Sequence, residues 1–316
     1  MTEFKRTVTD PEAFGRVAVL MGGDSAEREI SLKSGNQVLA GLKESGIEAH
    51  KLDATGDFLT TLQTGNFDRV FNILHGPGGE DGVIQGVLEV LGIPYTGSGV
   101  LGSALCMDKV LTKQIWSAVN LPSPPSLAVS DAAELGRVGR EIGFPLCAKP
   151  VHEGSSLGMT KVDNEKQLEA AFLEAKRFED FVLLEKWITG PEYTTCILDN
   201  RVMPIIRIET PREFYDYEAK YFSDSTRYYC PSGLDANAEK RFGELSMRAF
   251  EALKARGWGR VDFMLDEQGN PWLLEANTQP GMTDHSLIPM AASAIGIDFK
   301  ELVWLILEET MYATRN

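Results

Sequence analysis

Arg260-Val261-Asp262-Phe263-Met264-Leu265, then Asp266-Glu267-Gln268-Gly269, then Asn270-Pro271-Trp272-Leu273-Leu274-Glu275-Ala276-Asn277 is the stretch on which the reading of this chain turns. Two apolar-rich runs flank a polar, glycine-containing segment, the pattern of a β-hairpin. Alternation puts Arg260, Asp262 and Met264 on one face of the first strand, and Leu273, Glu275 and Asn277 on one face of the second. A two-residue turn at Gln268-Gly269 sets Asp262 across from Glu275 and Arg260 across from Asn277. Like charges facing each other across strands are destabilising. Solvated surface acids are not flanked so tightly by Phe263, Met264, Leu273 and Leu274. The pair therefore needs a cation between its members. Carboxylate and amide oxygens are hard ligands, which suit Mg²⁺ shared with substrate phosphates. Asp262, Glu275 and Asn277 are the candidate ligands.

Upstream lies a cationic, glycine-rich counterpart. Leu146-Cys147-Ala148-Lys149-Pro150 reads as an apolar strand closed by a lysine, and the loop Glu153-Gly154-Ser155-Ser156-Leu157-Gly158 follows at once. Small residues with free backbone N–H groups suit a phosphate cradle, and a nearby lysine adds a point charge. Glu185-Lys186-Trp187-Ile188 alternates polar and apolar. It offers an edge for a purine ring, but the residues alone favour an ordinary strand end. Gly97-Ser98-Gly99-Val100-Leu101-Gly102 fits the GxGxxG dinucleotide pattern, but only Pro94–Thr96 precedes it as a strand. Leu121-Pro122-Ser123 occupies the place where the ribose-binding acid belongs. These glycines read as a domain junction. The chain contains no GxxxxGK[ST] loop.

The flanking segments give an α/β fold class. Arg16–Met21, Glu48–Asp53 and Arg69–Leu74 read as strands, with helices at Ser31–Glu44 and Val83–Leu91 between and after them. Strands alternating with helices make a parallel sheet. Its ligands bind beyond the carboxyl ends of the strands, where Gly22-Gly23 and His75-Gly76 fall. Helical segments cover about 103–119 and break at Leu121-Pro122-Ser123-Pro124-Pro125. An α+β unit runs from there to about Glu192. Tyr193–Leu198 and Val202–Ile208 read as a hairpin turning at Asp199-Asn200. Helices follow at about 238–256 and at the C-terminus. The expected division is 1–97, with 1–15 a loose extension, then 98–192 and 193–316.

Of 316 residues, 31 are Lys or Arg and 46 are Asp or Glu, for a net charge of −15. So acidic a chain is a poor candidate for nucleic acid or an anionic membrane surface. An anionic substrate must be met by a few placed cations or a metal. Cys106, Cys147, Cys196 and Cys230 lie among apolar neighbours with no CxxC, and read as buried free thiols of a reducing compartment. With no apolar leader and no apolar run long enough to cross a bilayer, a cytoplasmic location is expected.

The longest motifs resemble a known family. His75-Gly76-Pro77-Gly78-Gly79-Glu80-Asp81-Gly82 with Gln85-Gly86, and Gly259–Asp262 through Leu273–Gly281, are similar to the two signatures of D-alanine–D-alanine ligases. Ser25–Ser31 and Tyr215–Tyr221 resemble two further blocks, and the likeness runs from about Arg16 to the C-terminus. Val151-His152 departs from the small-then-basic pair usual there, and the N-terminal extension is longer than usual. The resemblance implies an ATP-grasp fold, with an N-terminal α/β domain, a central lid and a C-terminal domain. It implies ligation of two D-alanine molecules through an acyl phosphate, with ATP and two Mg²⁺ ions, for which Mn²⁺ substitutes. It also implies a homodimer.

By the same resemblance, Asp262, Glu275 and Asn277 hold the metal, and Lys109, Lys149 and Lys220 contact phosphates. Glu185, Lys186, Trp187, Ile188 and Glu192 line the adenine and ribose, with Tyr215 nearby. Glu27 binds the first D-alanine's ammonium beside His75. Arg260 and the Gly281 N–H stabilise an oxyanion, and Ser286 and Leu287 hold the second D-alanine. A Glu27–Ser155–Tyr221 chain closes the site. Taken singly, Glu27 reads as well as a solvated charge, His75 as a core histidine, and Tyr215, Tyr217 and Tyr221 as packing residues. The alternatives are a ligase for D-lactate or D-serine and a non-catalytic ATP-binding regulator. Tyr221 favours an amine acceptor, and the complete set of Asp262, Glu275, Asn277, Lys149 and Arg260 favours catalysis.

Overall fold

The computed structural model describes residues 4–154, 157–210 and 226–312. A parallel sheet in the order β2-β1-β3 opens the chain, formed by β1 (Val17–Met21), β2 (Ala49–Asp53) and β3 (Arg69–Asn72). Every residue of β1 is buried, as an apolar central strand covered on both faces requires. Tyr95 extends the sheet by a parallel bridge to Val70. Helices α1 (Arg28–Glu44), α2 (Phe58–Thr64) and α3 (Val83–Leu91) complete this layer; the seven-residue α2 is too short to show a clear apolar period in the sequence. Gly22 sits at φ +79°, and a Cβ there would lie 2.3 Å from Asp53 Oδ1. Only glycine allows the Arg28–Asp53 fork, at 2.8 and 2.7 Å, to close over the end of β1.

Residues 4–15 of the N-terminal extension are not loose. Phe4 packs on the main core, and Pro11–Phe14 forms a 3₁₀ turn whose Phe14 is fully buried edge-on to Trp304, 5.0 Å between centroids. Arg6 pairs with Glu301 and lies over Trp304, and the Thr7 N–H donates to Glu308 at 2.7 Å. The partners lie about 300 residues away, so no local pattern shows the docking.

The helical segments expected near 103–119 are two helices, α4 (Val100–Met107) and α5 (Lys109–Ala118). Asp108 between them is extended, and its carboxylate accepts from the Val110 and Leu111 N–H groups, both at 2.9 Å. That N-cap breaks the helix and puts Lys109 at the first position of α5. Both helices bury Cys106 and Trp116 in the core of the C-terminal sheet, where Trp116 Nε1 donates to Ala249 O at 2.9 Å. The packing break therefore falls after α5, not at the Gly97–Gly102 run. Those glycines serve close approach: a Cβ on Gly102 would lie 2.5 Å from Lys254 O.

The next unit has its own core, from Val129 to Leu184. Its antiparallel sheet runs β4-β7-β5-β6, with β4 (Ser126–Val129), β5 (Leu146–Pro150), β6 (Thr160–Val162) and β7 (Val182–Lys186), backed by α6 (Leu135–Glu141) and α7 (Glu165–Ala175). The last sheet is built on β8 (Glu192–Leu198). It pairs with β9 (Arg201–Val202), β10 (Ile206–Glu209) and β12 (Gly259–Leu265), while β11 (Arg227–Tyr229) and β13 (Pro271–Asn277) form the edges. Asp199 and Asn200 turn the β8–β9 hairpin with φ of 50° and 53°. Pro204 falls where the expected return strand splits into β9 and β10, since proline cannot donate to the ladder. Helices α8 (Ala236–Ala252), α9 (Leu287–Ala294) and α10 (Phe299–Glu308) follow. Residues of α9 and α10 join the first sheet in one core.

In the β12–β13 hairpin, Asp262 faces Glu275 and Arg260 faces Asn277, as the sequence pattern requires. The turn differs from the two-residue one expected. Asp266 through Asn270 form the connection, with the Asp266 N–H donating to Asn270 O at 3.0 Å and Asp266 Oδ2 accepting from Trp272 Nε1 at 3.0 Å. That connection alone shifts the register by one residue. A bulge beside Phe263, which pairs with Leu273 and leaves Leu274 over, shifts it back. Leu273 consequently joins the core with Val261 and Phe263, and Leu274 takes the cleft side with Glu275.

Candidate active site

The cleft lies between the four-stranded sheet and the β12–β13 hairpin. Its larger cavity, about 840 Å³ including the open mouth, takes Lys149 from β5 and Glu185 and Lys186 from β7. Trp187 and Ile188 follow that strand, Glu192 begins β8, and Asp262 and Glu275 close the far wall. A smaller cavity of about 380 Å³ is lined by Glu80, His152, Gly154 and Asn277. Lys109 and Glu275 line both, so they stand at the junction. Lys109 Nζ lies 4.0 Å from Glu275 Oε2 and donates to Glu153 O at 2.8 Å. It thus links the N-terminus of α5, the glycine-rich loop and the acid hairpin.

On the hairpin, Asp262 is buried. Its Oδ1 accepts from Thr194 Oγ1 at 2.6 Å, and its Oδ2 accepts from Asn277 Nδ2 at 3.2 Å and pairs with Arg260. Two carboxylates and one amide converge on the cleft from three positions of one hairpin. A half-turn of the Asn277 amide presents its oxygen in place of its nitrogen, so the set has the hard-oxygen character that Mg²⁺ prefers.

The opposite wall is cationic and more elaborate than the sequence reading. Glu185 is buried and takes two lysines: Lys149 donates to Oε1 at 2.7 Å, and Lys113 from α5 pairs with Oε2. Burial opposes charge on all three, but the mutual pairing holds Glu185 below the ordinary carboxylate range and Lys149 above the ordinary lysine range. For Lys113 burial dominates and pulls its pKa down. Lys113 has no motif signal; the clue was its place one helical turn after Lys109 on a face that must bury. Other wall residues carry fewer charges inward. Lys186 Nζ is turned away to Phe144 O at 2.9 Å, and Lys161 lies over Trp187 at 5.3 Å. Met159, Met264 and Leu274 supply apolar walls that motif reading did not single out.

At the carboxyl end of the parallel sheet, Glu27 begins α1 and is buried, and a Cβ on either Gly76 or Gly154 would lie 3.1 Å from its Oε2. The glycine-rich loop thus touches the Glu27 carboxylate. Glu80 accepts from the Gly76 N–H at 2.6 Å, and burial, then Glu27, pushes its carboxyl up to about 8. His75 is buried; its Nδ1–H donates to Ile73 O at 2.8 Å, burial pulls its pKa down, and Nε2 has no hydrogen-bond partner. His75 is therefore neutral, with a lone pair presented to the site.

A Cβ on Gly281 would lie 3.0 Å from Ser286 Oγ and 3.9 Å from His75 Nε2. Ser286 accepts from the Thr283 N–H at 2.9 Å, and the Leu287 side chain is in the core, leaving only its backbone for a ligand. Ser34, also absent from the motif reading, is buried and accepts from the Met282 N–H at 3.0 Å, which fixes the Gly281 turn. The departure at His152 has a structural partner: Nδ1 meets Glu179 at 2.7 Å, and Nε2 lies 3.4 Å from Asp108, beside Lys109. Ser155, Tyr215, Lys220 and Tyr221 lie outside the described residues. Three of the cysteines are buried and Cys230 half-buried, all as free thiols.

A parallel-sheet domain ahead of two antiparallel sheets that close on a lysine-and-carboxylate cleft defines an ATP-grasp ligase. The D-ala D-ala ligase C-terminus family matches residues 115–308, and the D-ala D-ala ligase N-terminus family matches 51–98. The D-alanine–D-alanine ligase of Ectopseudomonas mendocina is 54% identical over 96% of this chain and 97% of its own length, and that of Alkalilimnicola ehrlichii 57% over 93% and 94%. The crystal structure of D-alanine–D-alanine ligase from Bacillus anthracis complexed with ATP superposes with a TM-score of 0.81 at 32% identity, over 94% of this chain and 97% of that one. The VanG D-Ala:D-Ser ligase from Enterococcus faecalis gives 0.82 at 30%, over 93% and 99%. The chain belongs to the D-alanine–D-alanine ligase family.

Proposed function

We propose that this chain joins two D-alanine molecules to D-alanyl-D-alanine, a peptidoglycan precursor, at the cost of one ATP. The observation that carries the mechanism is the junction of two cavities at Lys109 and Glu275. The larger cavity suits a nucleotide: apolar walls at Ile188, Met264 and Leu274 for the base, Glu192 near the ribose, and Lys149 toward the phosphates. The smaller one suits the first D-alanine, whose ammonium finds the Glu27 and Glu80 side. Its carboxylate then meets the terminal phosphate at the junction and displaces ADP, forming an acyl phosphate.

The residues present fit a divalent cation. Asp262, Glu275 and Asn277 would hold one or two Mg²⁺ ions, or Mn²⁺, which when bound neutralise charge on the phosphates. The amine of the second D-alanine attacks the acyl carbon, and phosphate leaves. Arg260 and the Gly281 N–H stabilise the oxyanion, for which one donor typically contributes about 3–4 kcal/mol. Ser286 and the first N–H groups of α9 receive the second carboxylate, as a helix N-terminus does. Neutral His75, with its bare Nε2, orients the first substrate's ammonium beside Glu27. Glu27, Ser155 and Tyr221 close the loop so that water does not reach the acyl phosphate; the touch of Gly154 on Glu27 supports this.

Three functional units are proposed, an N-terminal domain, a lid and a C-terminal domain. A homodimer fits the exposed apolar side chains Val83, Val90 and Leu101, at 62%, 88% and 59%. No helix among the described residues is long and apolar enough to cross a membrane, and we place the enzyme in the cytoplasm.

The fold does not choose the acceptor, since a D-Ala:D-Ser ligase shares it at 30% identity. Ligases at 51%, 54% and 57% identity carry the D-alanine–D-alanine ligase name, which favours D-alanine. The test is phosphate release with ATP, Mg²⁺ and a panel of D- and L-amino acids and D-lactate. Release with D-alanine alone, and dipeptide as product, is expected. Preference for D-serine or D-lactate beside D-alanine would reassign the acceptor, and no release with any of them would leave a nucleotide-binding regulator.

A further inference from the structure

The buried charges behind the nucleotide cavity are unequal in number. Glu185, on β7, offers one carboxylate to two ammonium groups. Lys149 takes Oε1 from the cavity side at 2.7 Å, and Lys113 takes Oε2. All three are nearly closed to solvent, with side-chain exposures of 6% for Glu185, 11% for Lys149 and 5% for Lys113. Lys149 and Glu185 line the larger cavity, and Lys113 does not. Lys113 approaches from α5, whose Trp116 is anchored in the C-terminal core, and also donates to Ser123 Oγ at 3.0 Å. It is therefore fixed to the body of the protein behind the carboxylate, whereas Lys149 stands in front.

Asymmetry of this kind has a consequence for any anion entering the cavity. A phosphate draws the Lys149 ammonium forward and loosens it from Glu185. If Lys149 were the sole partner, the move would strand a buried carboxylate, which is strongly unfavourable. A Lys149–Glu185 pair by itself is also neutral and gives the phosphate only the weaker field of a dipole. With Lys113 present, the carboxylate keeps a cation when Lys149 moves, and the three groups sum to one positive charge. We propose that Lys113 is a positioning residue for the nucleotide: it holds Glu185 from behind, so that the Lys149 ammonium is available to the phosphates. Lys113 does not itself touch the ligand. The inference rests on the reading of the larger cavity as a nucleotide site.

The test compares Lys113→Met, Lys113→Arg, Glu185→Gln and Lys113→Met/Glu185→Gln with wild type. It reads ADP affinity by calorimetry in the presence of Mg²⁺, KM for ATP and for D-alanine, and the melting temperature of the unliganded protein. The summed charge of the three positions is +1 in wild type, 0 in Lys113→Met and +1 again in the double variant. Lys113→Met should weaken ADP binding and raise the ATP KM by about tenfold or more, with the D-alanine KM within about twofold. The double variant should bind ADP more tightly than Lys113→Met and about as well as Glu185→Gln alone, and Lys113→Arg should stay near wild type. Wild-type ADP affinity in Lys113→Met overturns the proposal. So does a loss that Glu185→Gln leaves unrepaired, since a merely structural lysine would not be rescued by removing the carboxylate. If Lys113→Met does not fold, the double variant is compared with Glu185→Gln alone: a further loss of ADP affinity of about tenfold or more on removing Lys113 in that background also overturns it. Failure of wild type itself to bind ADP would instead refute the nucleotide reading of the cavity.

Discussion

The two walls of the cleft handle buried charge in opposite ways. On the hairpin, Asp262 and Glu275 face each other across adjacent strands, and among the described residues Arg260 pairs with Asp262 and Lys109 lies 4.0 Å from Glu275. On the four-stranded sheet, a single carboxylate is shared by two lysines. Among the described residues, two acids stand beside two cations on the first wall, whereas on the second the lysines outnumber the carboxylate. The proposed nucleotide polyphosphate and its cation would complement both at once, metal toward the acids and phosphates toward the lysines. Neither wall alone would select that ligand. An acid pair takes any hard cation, and a lysine pair takes any anion.

The comparison breaks most sharply at the acid wall. Glu275→Gln removes one of two facing charges and keeps the shape. We expect kcat/KM to fall by about a thousandfold or more, with an unchanged circular dichroism spectrum, because the charge meets the metal–phosphate unit where transition-state charge develops. Steady-state kinetics across a Mg²⁺ titration reads this. Turnover within about tenfold of wild type, or wild-type turnover in excess chelator, would contradict the metal assignment.

A second test concerns proton uptake by crowded acids. Glu80, beside Glu27, titrates at about 8 in the folded protein against an ordinary 4.5, with burial as the main cause and Glu27 next. A carboxyl raised in this way favours the folded state when protonated. Its contribution is complete below the unfolded value, declines as pH rises, and is lost above about 8. Wild-type Tm should therefore fall between about pH 5 and pH 9 more steeply than that of Glu80→Gln, by several degrees. Parallel Tm curves for the two proteins would show that Glu80 is not a buried neutral acid.

The smallest effect expected is at the bulge. Leu274 is the extra residue that the irregularity turns toward the cleft, where it lines the larger cavity. Leu274→Ala should raise the ATP KM by about threefold to tenfold through lost apolar contact, and leave the D-alanine KM unchanged. A larger effect on D-alanine would move the base-binding wall elsewhere.

The acid wall was legible in the sequence because it is local. Strand alternation and a hairpin return, all within Arg260–Asn277, suffice to bring Asp262 against Glu275. Even there the pairing was reached through two compensating differences: the connection is longer than two residues, and the bulge at Leu274 restores the register. Turn residues do not encode a bulge, which follows from packing Leu273 into the core beneath. The alternating strands and helices of the first domain were legible for the same local reason. So were the glycines at Gly22 and Gly76, which mark the ends of the strands.

The sharing of charge on the lysine wall was not legible, and neither was the docking of residues 4–15. Lys113, Lys149 and Glu185 come from three elements, and nothing in their own neighbourhoods says that one carboxylate will serve two ammonium groups. Phe14 meets Trp304 only because the C-terminal helices fold back onto the first sheet. What the sequence determined by itself is therefore what the backbone period and short-range chemistry carry: element type, the facing acids, and the family blocks. What only the tertiary structure decided is which charges share a buried space and how many of each sign it holds. That balance depends on distance and desolvation between groups far apart in the chain, and neither quantity exists before the chain is packed.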